Sequence, residues 1–295
     1  MSSGSPGSLP DAGAIEGLRQ SGYVVGQNIQ IEYRYASGAF DRIPAMMSEL
    51  LALRPAAILT LGTAAARSAR EALQKASSPV PLIFSFGSDP VAEGMVASLN
   101  RPGGNITGVT SIAGSLGPKR LELLRQVVRG DKAIGLLVNL GNPLGISERR
   151  DVEAAARGIG QKLAVLPAAS EVEIDAAFLS LPQQSIGGVV IAVDTFYFGR
   201  MRQMAALAAR MAVPAISPLR DFPGAGGLMS YGASIHDVNR QAGRYLARVV
   251  KGEKPAELPV LQPTKFELII NLKTAKALNI DMPAGLLATA DEVIE

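Results

Sequence analysis

The residues with the clearest chemical potential form a single run, Asp194-Thr-Phe-Tyr-Phe198, which follows directly on the apolar segment 188–193. A carboxylate beside aromatic faces suits a cationic amine carried on an apolar body. The alternative is that Asp194 caps a helix and that the aromatic rings belong to the core. On the first interpretation we predict four ligand-binding residues here: Asp194, Thr195, Phe196 and Tyr197.

Two runs of small and polar residues nearer the amino terminus also follow apolar segments. Residues 62–64 (Gly-Thr-Ala) could present backbone N–H groups and a hydroxyl to an anion such as a carboxylate, although a plain helix cap explains them equally well. Residues 85–90 combine hydroxyls, a glycine that lets a ligand approach the backbone, and an aromatic wall. Asp89 suits a helix cap better than a ligand contact, because Pro90 fits the first position of a helix. The predicted ligand-binding residues of these runs are Gly62, Thr63, Ala64, Ser85, Phe86, Gly87 and Asp89.

Three further polar positions are weaker candidates. Asn139 opens a loop that ends at Pro143, and turn chemistry alone accounts for that composition. Ser217 follows another short apolar run, where a surface turn is the alternative. We include Asn139 and Ser217 among the predicted ligand contacts. His236 falls in the first turn of a predicted helix and is interpreted as a solvated surface residue.

Signatures of catalysis and of metal binding are missing from the sequence. The chain has no cysteine and one histidine, so a thiolate or histidine metal cluster has no ligands. We find no glycine-rich dinucleotide or phosphate loop and no nucleophile elbow. The sequence therefore predicts no catalytic residue, no metal and no cofactor. An α/β enzyme that uses Asp194 or Asp89 as acid or base stays open as a less favoured hypothesis.

The charge distribution argues against a nucleic-acid partner. Lys and Arg number 29 against 26 Asp and Glu, which gives a formal net charge of +3, and no basic cluster stands out. No apolar run approaches the roughly 18 residues of a membrane span.

Alternating strand and helix patterns supply the elements that must hold these residues. We predict strands at residues 28–35, 56–61, 80–86, 106–110, 132–140, 163–168, 188–193, 214–217, 227–231 and 264–272. We predict helices at residues 41–53, 63–75, 147–161, 172–181, 199–211, 234–250 and 274–278, with two more beginning at Pro90 and Pro118. Asp41 and Asp89 are the expected caps of the helices that follow them.

Such alternation predicts parallel sheets covered by helices on both faces. A loop-like segment near residue 113 and a weak echo between residues 55–63 and 187–195 favour two three-layer α/β lobes. A closed (β/α)8 barrel is the architectural alternative. Open parallel sheets bind ligands at the carboxyl ends of their strands, where the candidate residues lie.

Several longer motifs resemble one protein family. They are Gly22-Tyr-Val-Val-Gly-Gln-Asn28, Gly62-Thr63, Gly87-Ser-Asp-Pro90, Ser98-Leu-Asn-Arg-Pro-Gly-Gly-Asn-Ile-Thr-Gly108, Lys119-Arg-Leu-Glu-Leu-Leu124, Ala225-Gly-Gly-Leu-Met-Ser-Tyr-Gly232, residues 262–278 and Ala290-Asp-Glu-Val-Ile-Glu295. On these motifs the chain resembles the substrate-binding components of ABC transporters in the type I periplasmic binding protein group, in particular the tryptophan/tyrosine-type or uncharacterised subfamily.

The resemblance implies two Rossmann-like lobes joined by three crossovers, with residues 1–113 and 233–295 in the amino-terminal lobe and residues 114–232 in the carboxyl-terminal lobe. It also implies a small amino-acid-like ligand, which is aromatic in some relatives, captured in the interlobe cleft by hinge closure. The resemblance implies an ABC permease as the membrane partner. By resemblance Thr63, Ala64, Ser85 and Gly87 would hold a carboxylate and Asp194 an amine, while Phe196 or Tyr197 would line the side-chain pocket. A ligand-sensing regulatory module of the same fold is the alternative function.

The amino terminus departs from the family pattern. The family has an apolar first strand before a Ser-Pro-Gly loop, preceded by a signal or lipoprotein peptide, whereas here Ser5-Pro-Gly7 lies almost at the start. We expect that the first strand of the amino-terminal lobe is missing, through a late start or a truncation. The resemblance implies a periplasmic or membrane-anchored extracytoplasmic location, although these residues contain no signal peptide.

Overall fold

The computed structural model describes residues 1–2, 9–37 and 39–295, without the side chains of residues 9–11. Ser5, Pro6 and Gly7 of the expected loop lie outside the described residues. The strands are β1 (Ile58–Leu61), β2 (Leu82–Phe86), β3 (Ile106–Thr110), β4 (Ala133–Val138), β5 (Leu163–Pro167), β6 (Ile186–Ile191), β7 (Ala215–Ser217), β8 (Met229–Gly232), β9 (Glu267–Asn271) and β10 (Glu292–Ile294). The α-helices are α1 (Leu9–Gln20), α2 (Ile43–Ala52), α3 (Thr63–Lys75), α4 (Gly117–Arg125), α5 (Pro143–Gly158), α6 (Glu171–Leu179), α7 (Thr195–Phe198), α8 (Met201–Arg210), α9 (Asp221–Gly224), α10 (Ile235–Val250), α11 (Leu272–Ala277) and α12 (Ala284–Ala288).

The chain forms two compact units. Unit 1 comprises Met1–Ile112 and Ile235–Thr264, and unit 2 comprises Ala113–Ser234 and Lys265–Glu295. The chain therefore passes between the units after Ile112, Ser234 and Thr264. Each unit has its own sheet, so the described residues do not form a single closed barrel. The prediction of an α/β protein with two parallel-sheet lobes is confirmed.

Unit 1 is built on a parallel three-stranded sheet in the order β1-β2-β3. Every residue of β2 is buried, as expected for a central strand covered on both faces, and this is why its sequence is apolar apart from Ser85. Helices α1 and α10 pack closely because glycine removes the side chain at the contact. A Cβ on Gly243 of α10 would lie 2.1 Å from the carbonyl oxygen of Ala14 in α1.

Unit 2 is built on a seven-stranded sheet in the order β10-β9-β8-β7-β6-β4-β5. All neighbouring strands are parallel except β8 and β9. Successive residues of the central strand β6 belong to different cores: Val189 and Ile191 to one, and Val190 to the other. Since side chains alternate across a strand, the two cores lie on opposite faces of the sheet, which gives three layers.

The structure assigns the carboxyl-terminal residues differently from the sequence-based boundaries. Residues 265–295, expected in the amino-terminal lobe, belong to unit 2. The reason is hydrogen bonding, because β9 pairs antiparallel with β8, with Met229 opposite Ile270, and β10 pairs with β9.

Residues 28–35 and the predicted cap of the first long helix also differ from expectation. Residues 28–35 form no sheet strand, and their isolated bridges are Val25 to Ile29 and Ser2 to Tyr35. Asp41 lies within a 3₁₀ turn, so Arg42 takes the position before α2.

Two further helix starts differ from the predicted positions. After Asp89 the chain makes a turn that continues to Gly94, where φ is +65°, and no helix forms there. Helix α5 begins four residues before the predicted start, because the Asn142 side chain caps it and Pro143 opens its first turn.

Candidate functional site

Asp194 lies beyond the carboxyl end of β6 and caps α7. Its Oδ1 accepts a hydrogen bond from the Phe196 N–H at 2.7 Å, and its Oδ2 accepts one from Asn142 Nδ2 at 3.1 Å. The residue is 2% exposed. Thus the structure makes Asp194 a helix cap and at the same time a buried carboxylate with a defined orientation.

Burial raises the pKa of Asp194 from 3.8 to about 6. Hydrogen bonds from the Phe196 N–H and from Asn142, together with the nearby Asn139 amide, oppose that increase, whereas the negative charge of Glu148 adds to it. Burial is the largest of these effects, because a carboxylate removed from water loses its hydration. A cation that contacts Asp194 would therefore relieve an unfavourable charge.

Six buried side-chain polar atoms of unit 2 have no hydrogen-bond partner among the described residues, and three of them belong to uncharged side chains. These three are Asn139 Nδ2, Thr195 Oγ1 and Ser230 Oγ. Asn139 follows β4 and Thr195 follows Asp194, while Ser230 lies in β8. The Asn139 amide is near enough to Asp194 to lower its pKa, but Nδ2 lacks the geometry of a hydrogen bond. Unpaired buried polar atoms are costly, so these positions are candidates for ligand contact.

A buried ion pair lies against the residue that precedes Asp194. Arg120 Nη2 contacts Glu148 Oε1 at 2.5 Å, and both side chains are fully buried. Glu148 Oε2 also accepts a hydrogen bond from the Val193 N–H at 2.8 Å, directly before Asp194. Burial raises the pKa of Glu148, and the Arg120 charge opposes that increase. Glu148 thus holds the backbone from which Asp194 projects.

The aromatic residues after Asp194 are packed in the interior of unit 2. Phe196 and Tyr197 belong to the core between the sheet and helices α6 and α8. The Tyr197 hydroxyl donates a hydrogen bond to the Ala168 carbonyl at 2.6 Å, and burial raises the pKa of the phenol. Both rings are almost wholly covered, and their predicted contact with a ligand stays a prediction.

The Ser217 side chain takes part in a local turn, which was the alternative to ligand contact for this residue. Its Oγ accepts a hydrogen bond from the Leu219 N–H at 3.2 Å, and the residue is fully buried. It lies opposite Ser230 in the pairing of β7 with β8. A ligand role for Ser217 stays a prediction.

Unit 1 places Gly62, Thr63 and Ala64 at the start of α3, beyond the end of β1. Gly62 has φ +103°, a conformation that favours glycine, and no side chain caps the helix. Within the described residues, no hydrogen bond is recorded for the backbone N–H groups of Thr63 and Ala64. These groups are what an anion would bind at a helix start.

Hydroxyl groups surround the start of α3. Thr63 Oγ1 lies 3.1 Å from Ser88 Oγ, and Thr110 Oγ1 donates to the Ser88 carbonyl at 2.7 Å. Ser85 Oγ donates to Asn239 Oδ1 of α10 at 2.5 Å. The Ser85 proton is used in that bond, whereas the pair formed by Thr63 and Ser88 uses one of its two hydroxyl protons and leaves the other free.

The other residues of unit 1 that were predicted from sequence take part in none of these hydroxyl contacts. Phe86 and Gly87 are buried at the end of β2. Asp89 is exposed, and its Oδ1 accepts hydrogen bonds from the N–H groups of Val91 and Ala92, so it caps a turn and not the helix that was predicted. His236 is 44% exposed and lies 3.2 Å from a Glu16 carboxylate oxygen.

The sequence interpretation missed Ser88, Asn142, Glu148, Ser230 and Asn239. The Asn-Pro pair at 142–143 was a readable signal for a capped helix. The other four carry no local pattern, because their roles come from contacts with distant residues.

Two classes of site are not found in the part of the chain that the structure describes. No group of three or more His, Cys, Asp or Glu side chains is placed to hold a metal ion there. Over the same residues, no helix is both long and apolar enough to cross a membrane.

Known proteins resemble this chain over most of its length. The tyrosine-binding protein of Clostridioides difficile (strain R20291) is 25% identical over 268 residues, which make up 91% of this chain and 76% of that protein. A conserved domain protein from Vibrio cholerae has a solved structure with a TM-score of 0.85 and 24% identity, covering 97% of this chain and 95% of that one. The ABC domain from Streptococcus pneumonia in complex with L-Trp has a TM-score of 0.81 and 24% identity, covering 99% and 98%.

The likeness to these solved structures shows a shared fold. The family assignment rests on a separate comparison, in which the family model described as ABC transporter substrate binding protein matches residues 8–294. Because that match spans nearly the whole sequence, the chain belongs to the ABC transporter substrate-binding protein family.

Proposed function

We propose that this protein is the solute-binding component of an ABC importer and that its ligand is a small zwitterion of the amino-acid type. The observation that carries the proposal is the buried carboxylate of Asp194, whose pKa burial raises to about 6. At neutral pH this group is mostly ionised yet lacks a cationic partner among the described residues. A ligand ammonium group would supply the missing positive charge.

The amine contact is argued from the surroundings of Asp194. Its two oxygens accept hydrogen bonds from an amide side chain and a backbone N–H, both uncharged donors. Thr195 Oγ1, in the next residue, is buried without a partner and can accept from an ammonium, whereas Asn139 Nδ2 is a donor and needs an acceptor. Charge-assisted hydrogen bonds are roughly twice as strong as neutral ones, so an ammonium is the group this cluster favours.

The carboxylate contact is argued from the start of α3. Backbone N–H groups at a helix start carry a partial positive charge and bind anions well. Gly62 carries no side chain at this point, and the hydroxyls of Thr63 and Ser88, which are bonded to each other, leave one proton free to donate. We propose, for unit 1 taken by itself, that these groups can bind a carboxylate.

An aromatic ligand side chain is the version of this proposal that the relatives favour. The Clostridioides difficile relative is named for tyrosine binding, and the Streptococcus structure holds L-Trp. Phe196 and Tyr197 remain the proposed wall of the side-chain pocket, on the same short helix that Asp194 caps. The proposal includes an extracytoplasmic location and an ABC permease as the membrane partner. It includes no catalytic step.

The test is a set of three matched compounds that differ only in their charged groups. L-tyrosine, tyramine and 4-hydroxyphenylpropionate are each titrated into the protein while unfolding is followed by fluorescence. If ligand is present at about a hundredfold excess over its Kd, binding should add about 2.7 kcal/mol to the free energy of unfolding. We expect this effect from the amino acid, and a loss of affinity when either its amine or its carboxylate is absent.

Two variants separate the amine contact from general damage. Asp194→Asn should weaken binding of the amino acid and leave binding of the deaminated acid little changed. Asp175→Asn, which removes an exposed carboxylate from α6 of the same unit, is the matched control. Equal affinity of Asp194→Asn and wild type for the amino acid would reject the assigned role of Asp194. If no compound in a broad panel of amino acids binds, the ligand class is wrong.

A further inference from the structure

A fully buried arginine of unit 2 binds parts of the chain that are distant in sequence. Arg120 of α4 is 0% exposed. Its Nη2 donates a hydrogen bond to the Ala113 carbonyl at 2.9 Å and contacts Glu148 Oε1, while its Nη1 donates to the Tyr231 carbonyl at 3.3 Å. One guanidinium therefore holds two backbone carbonyls and one carboxylate.

The two carbonyls belong to the segments by which the chain enters and leaves unit 2. Ala113 is the first residue of the unit, and Tyr231 lies shortly before Ser234, after which the chain leaves. Ile112, directly before Ala113, has φ +44°, a conformation that β-branched residues rarely adopt. Such backbone strain persists only where surrounding contacts fix it, and the hydrogen bond from the guanidinium to Ala113 is one of these contacts.

The other side of the ion pair reaches the candidate ligand site. Glu148 Oε2 accepts a hydrogen bond from the Val193 N–H at 2.8 Å, and Val193 is the residue before Asp194. A continuous series of polar contacts therefore runs from the entry and exit segments, through Arg120 and Glu148, to the backbone that carries the Asp194 carboxylate.

Backbone packing fixes the position of the pair. A Cβ on Gly117 of α4 would lie 2.7 Å from Val152 Cγ2 and 3.0 Å from Glu148 Cγ, both in α5. Helices α4 and α5 approach this closely only because residue 117 has no side chain. The guanidinium and the carboxylate thus have little room to move, as groups that set a geometry require.

Stability alone is a weak explanation for an ion pair at this place. Burying two charges is costly, and apolar side chains of similar volume are often equally or more stable. The Nε of Arg120 adds to the cost, because it has no hydrogen-bond partner among the described residues. An apolar pair could not supply the directional hydrogen bonds to the backbone of Ala113, Tyr231 and Val193.

We propose that Arg120 is a positioning residue of the ligand site and that it acts through Glu148. The pair fixes Val193, and with it the Asp194 carboxylate, relative to the segments by which the chain enters and leaves unit 2. A displacement of those segments is then transmitted to Asp194, and a ligand held by Asp194 favours one arrangement of the segments. The consequence for binding rests on the proposed function, whereas the positioning of Val193 does not depend on it.

The test uses three variants of the full chain. Arg120→Lys keeps the positive charge but cannot reproduce the planar fork of donors. A double variant, Arg120→Met with Glu148→Leu, replaces the pair with apolar side chains and leaves no buried charge unpaired, so it should fold even if a single substitution does not. Arg125→Lys, at the exposed last residue of α4, is the matched control.

The first measurement is hydrogen exchange at the amides of Val193 and Val189. The Val189 N–H donates to the Pro214 carbonyl at 2.9 Å within the sheet, so it reports on opening of the unit as a whole. A loss of stability speeds exchange at both amides, whereas a displaced Val193 raises the ratio of the two rates. We expect that ratio to rise by at least about tenfold in Arg120→Lys and in the double variant, and to stay unchanged in the control.

The second measurement follows the amide NMR signals of Gly114 and Gly232. These N–H groups belong to the peptide groups whose carbonyls Arg120 holds. Both signals should shift in Arg120→Lys and in the double variant but not in the control. If the ratio of exchange rates keeps its wild-type value in both variants, the proposal is overturned, even where the melting temperature falls. A changed ratio with unshifted glycine signals would overturn the connection to the entry and exit segments.

The third measurement is the affinity for an amino acid that the wild type binds, beginning with L-tyrosine. We expect Kd to rise by about tenfold in the double variant and to stay unchanged in Arg125→Lys. Unchanged affinity together with a raised exchange ratio would overturn the consequence for binding. If the wild type binds no amino acid, the proposed ligand class fails, while the exchange rates still decide whether Arg120 positions Val193.

Discussion

Replacing Asp194 with asparagine tests whether burial sets the charge state of the candidate site. The asparagine keeps an oxygen that can accept from the Phe196 N–H, so the cap of α7 is retained. Its new amide group meets Asn142 Nδ2, which is also a donor. That unfavourable contact does not vary with pH, whereas the loss of a titrating carboxyl does.

The sign of the effect follows from the raised pKa. Since the carboxyl has a pKa of about 6 in the folded protein against 3.8 as a model value, the folded state holds the proton more tightly than the unfolded state. The contribution of Asp194 to stability is therefore present at low pH and is lost as pH rises through the window from 3.8 to about 6. The shift corresponds to about 3 kcal/mol in all, of which about 2 kcal/mol falls between about pH 4.5 and about pH 7.5.

The assay is urea unfolding of the wild type and of Asp194→Asn at a series of pH values across this range. Subtracting one free energy of unfolding from the other cancels the titration of every group that the substitution leaves alone. We expect the wild type to lose about 2 kcal/mol relative to the variant as pH rises, and Asp175→Asn controls for removal of a surface charge. A difference that is constant with pH, or that changes in the opposite direction, would refute the reasoning.

Two further substitutions test the supports of each unit. Glu148→Gln leaves its buried arginine partner without a counter-charge and should lower the free energy of unfolding by about 3–5 kcal/mol. It should also lower the pKa of Asp194, because the negative charge of Glu148 raises that pKa. The control is Glu153→Gln on the same helix, which breaks a partly exposed pair at 3.6 Å and should lower the free energy of unfolding by under about 1 kcal/mol. A melting temperature equal to that of the wild type would rule out a structural role for the buried pair. Gly243→Ala places a Cβ 2.1 Å from a carbonyl oxygen of α1 and should destabilise unit 1 by at least about 1–3 kcal/mol, whereas Gly158→Ala, with no heavy atom within 4 Å, should be neutral or slightly stabilising. Similar stabilities of the two alanine variants would contradict the close packing of α1 and α10.

Several elements could be predicted from sequence because their causes are local. The apolar runs of β2 and β6 stop at small or polar residues, and their side-chain composition is typical of strands buried on both faces. Helix α10 shows its apolar stripe within its own sequence. The capping role of Asp194 was also visible, because a short polar residue before an aromatic helix turn is a local signal.

Other features had no local cause. Residues 28–35 alternate as a strand should, yet they form only isolated bridges, because a strand requires a neighbouring strand that is hydrogen-bonded along its length. Residues 265–295 belong to unit 2 because of pairing between β8 and β9, which are distant in sequence.

The sequence by itself determined where most strands and helices form, because periodicity, glycine, proline and capping residues act within a few positions of the chain. Only the tertiary structure decided which strands pair, and that Asp194 is a buried carboxylate with a raised pKa. It also decided that Glu148 faces Arg120, 28 residues away. These properties depend on burial and on hydrogen bonds between distant segments, and no short pattern of residues encodes them.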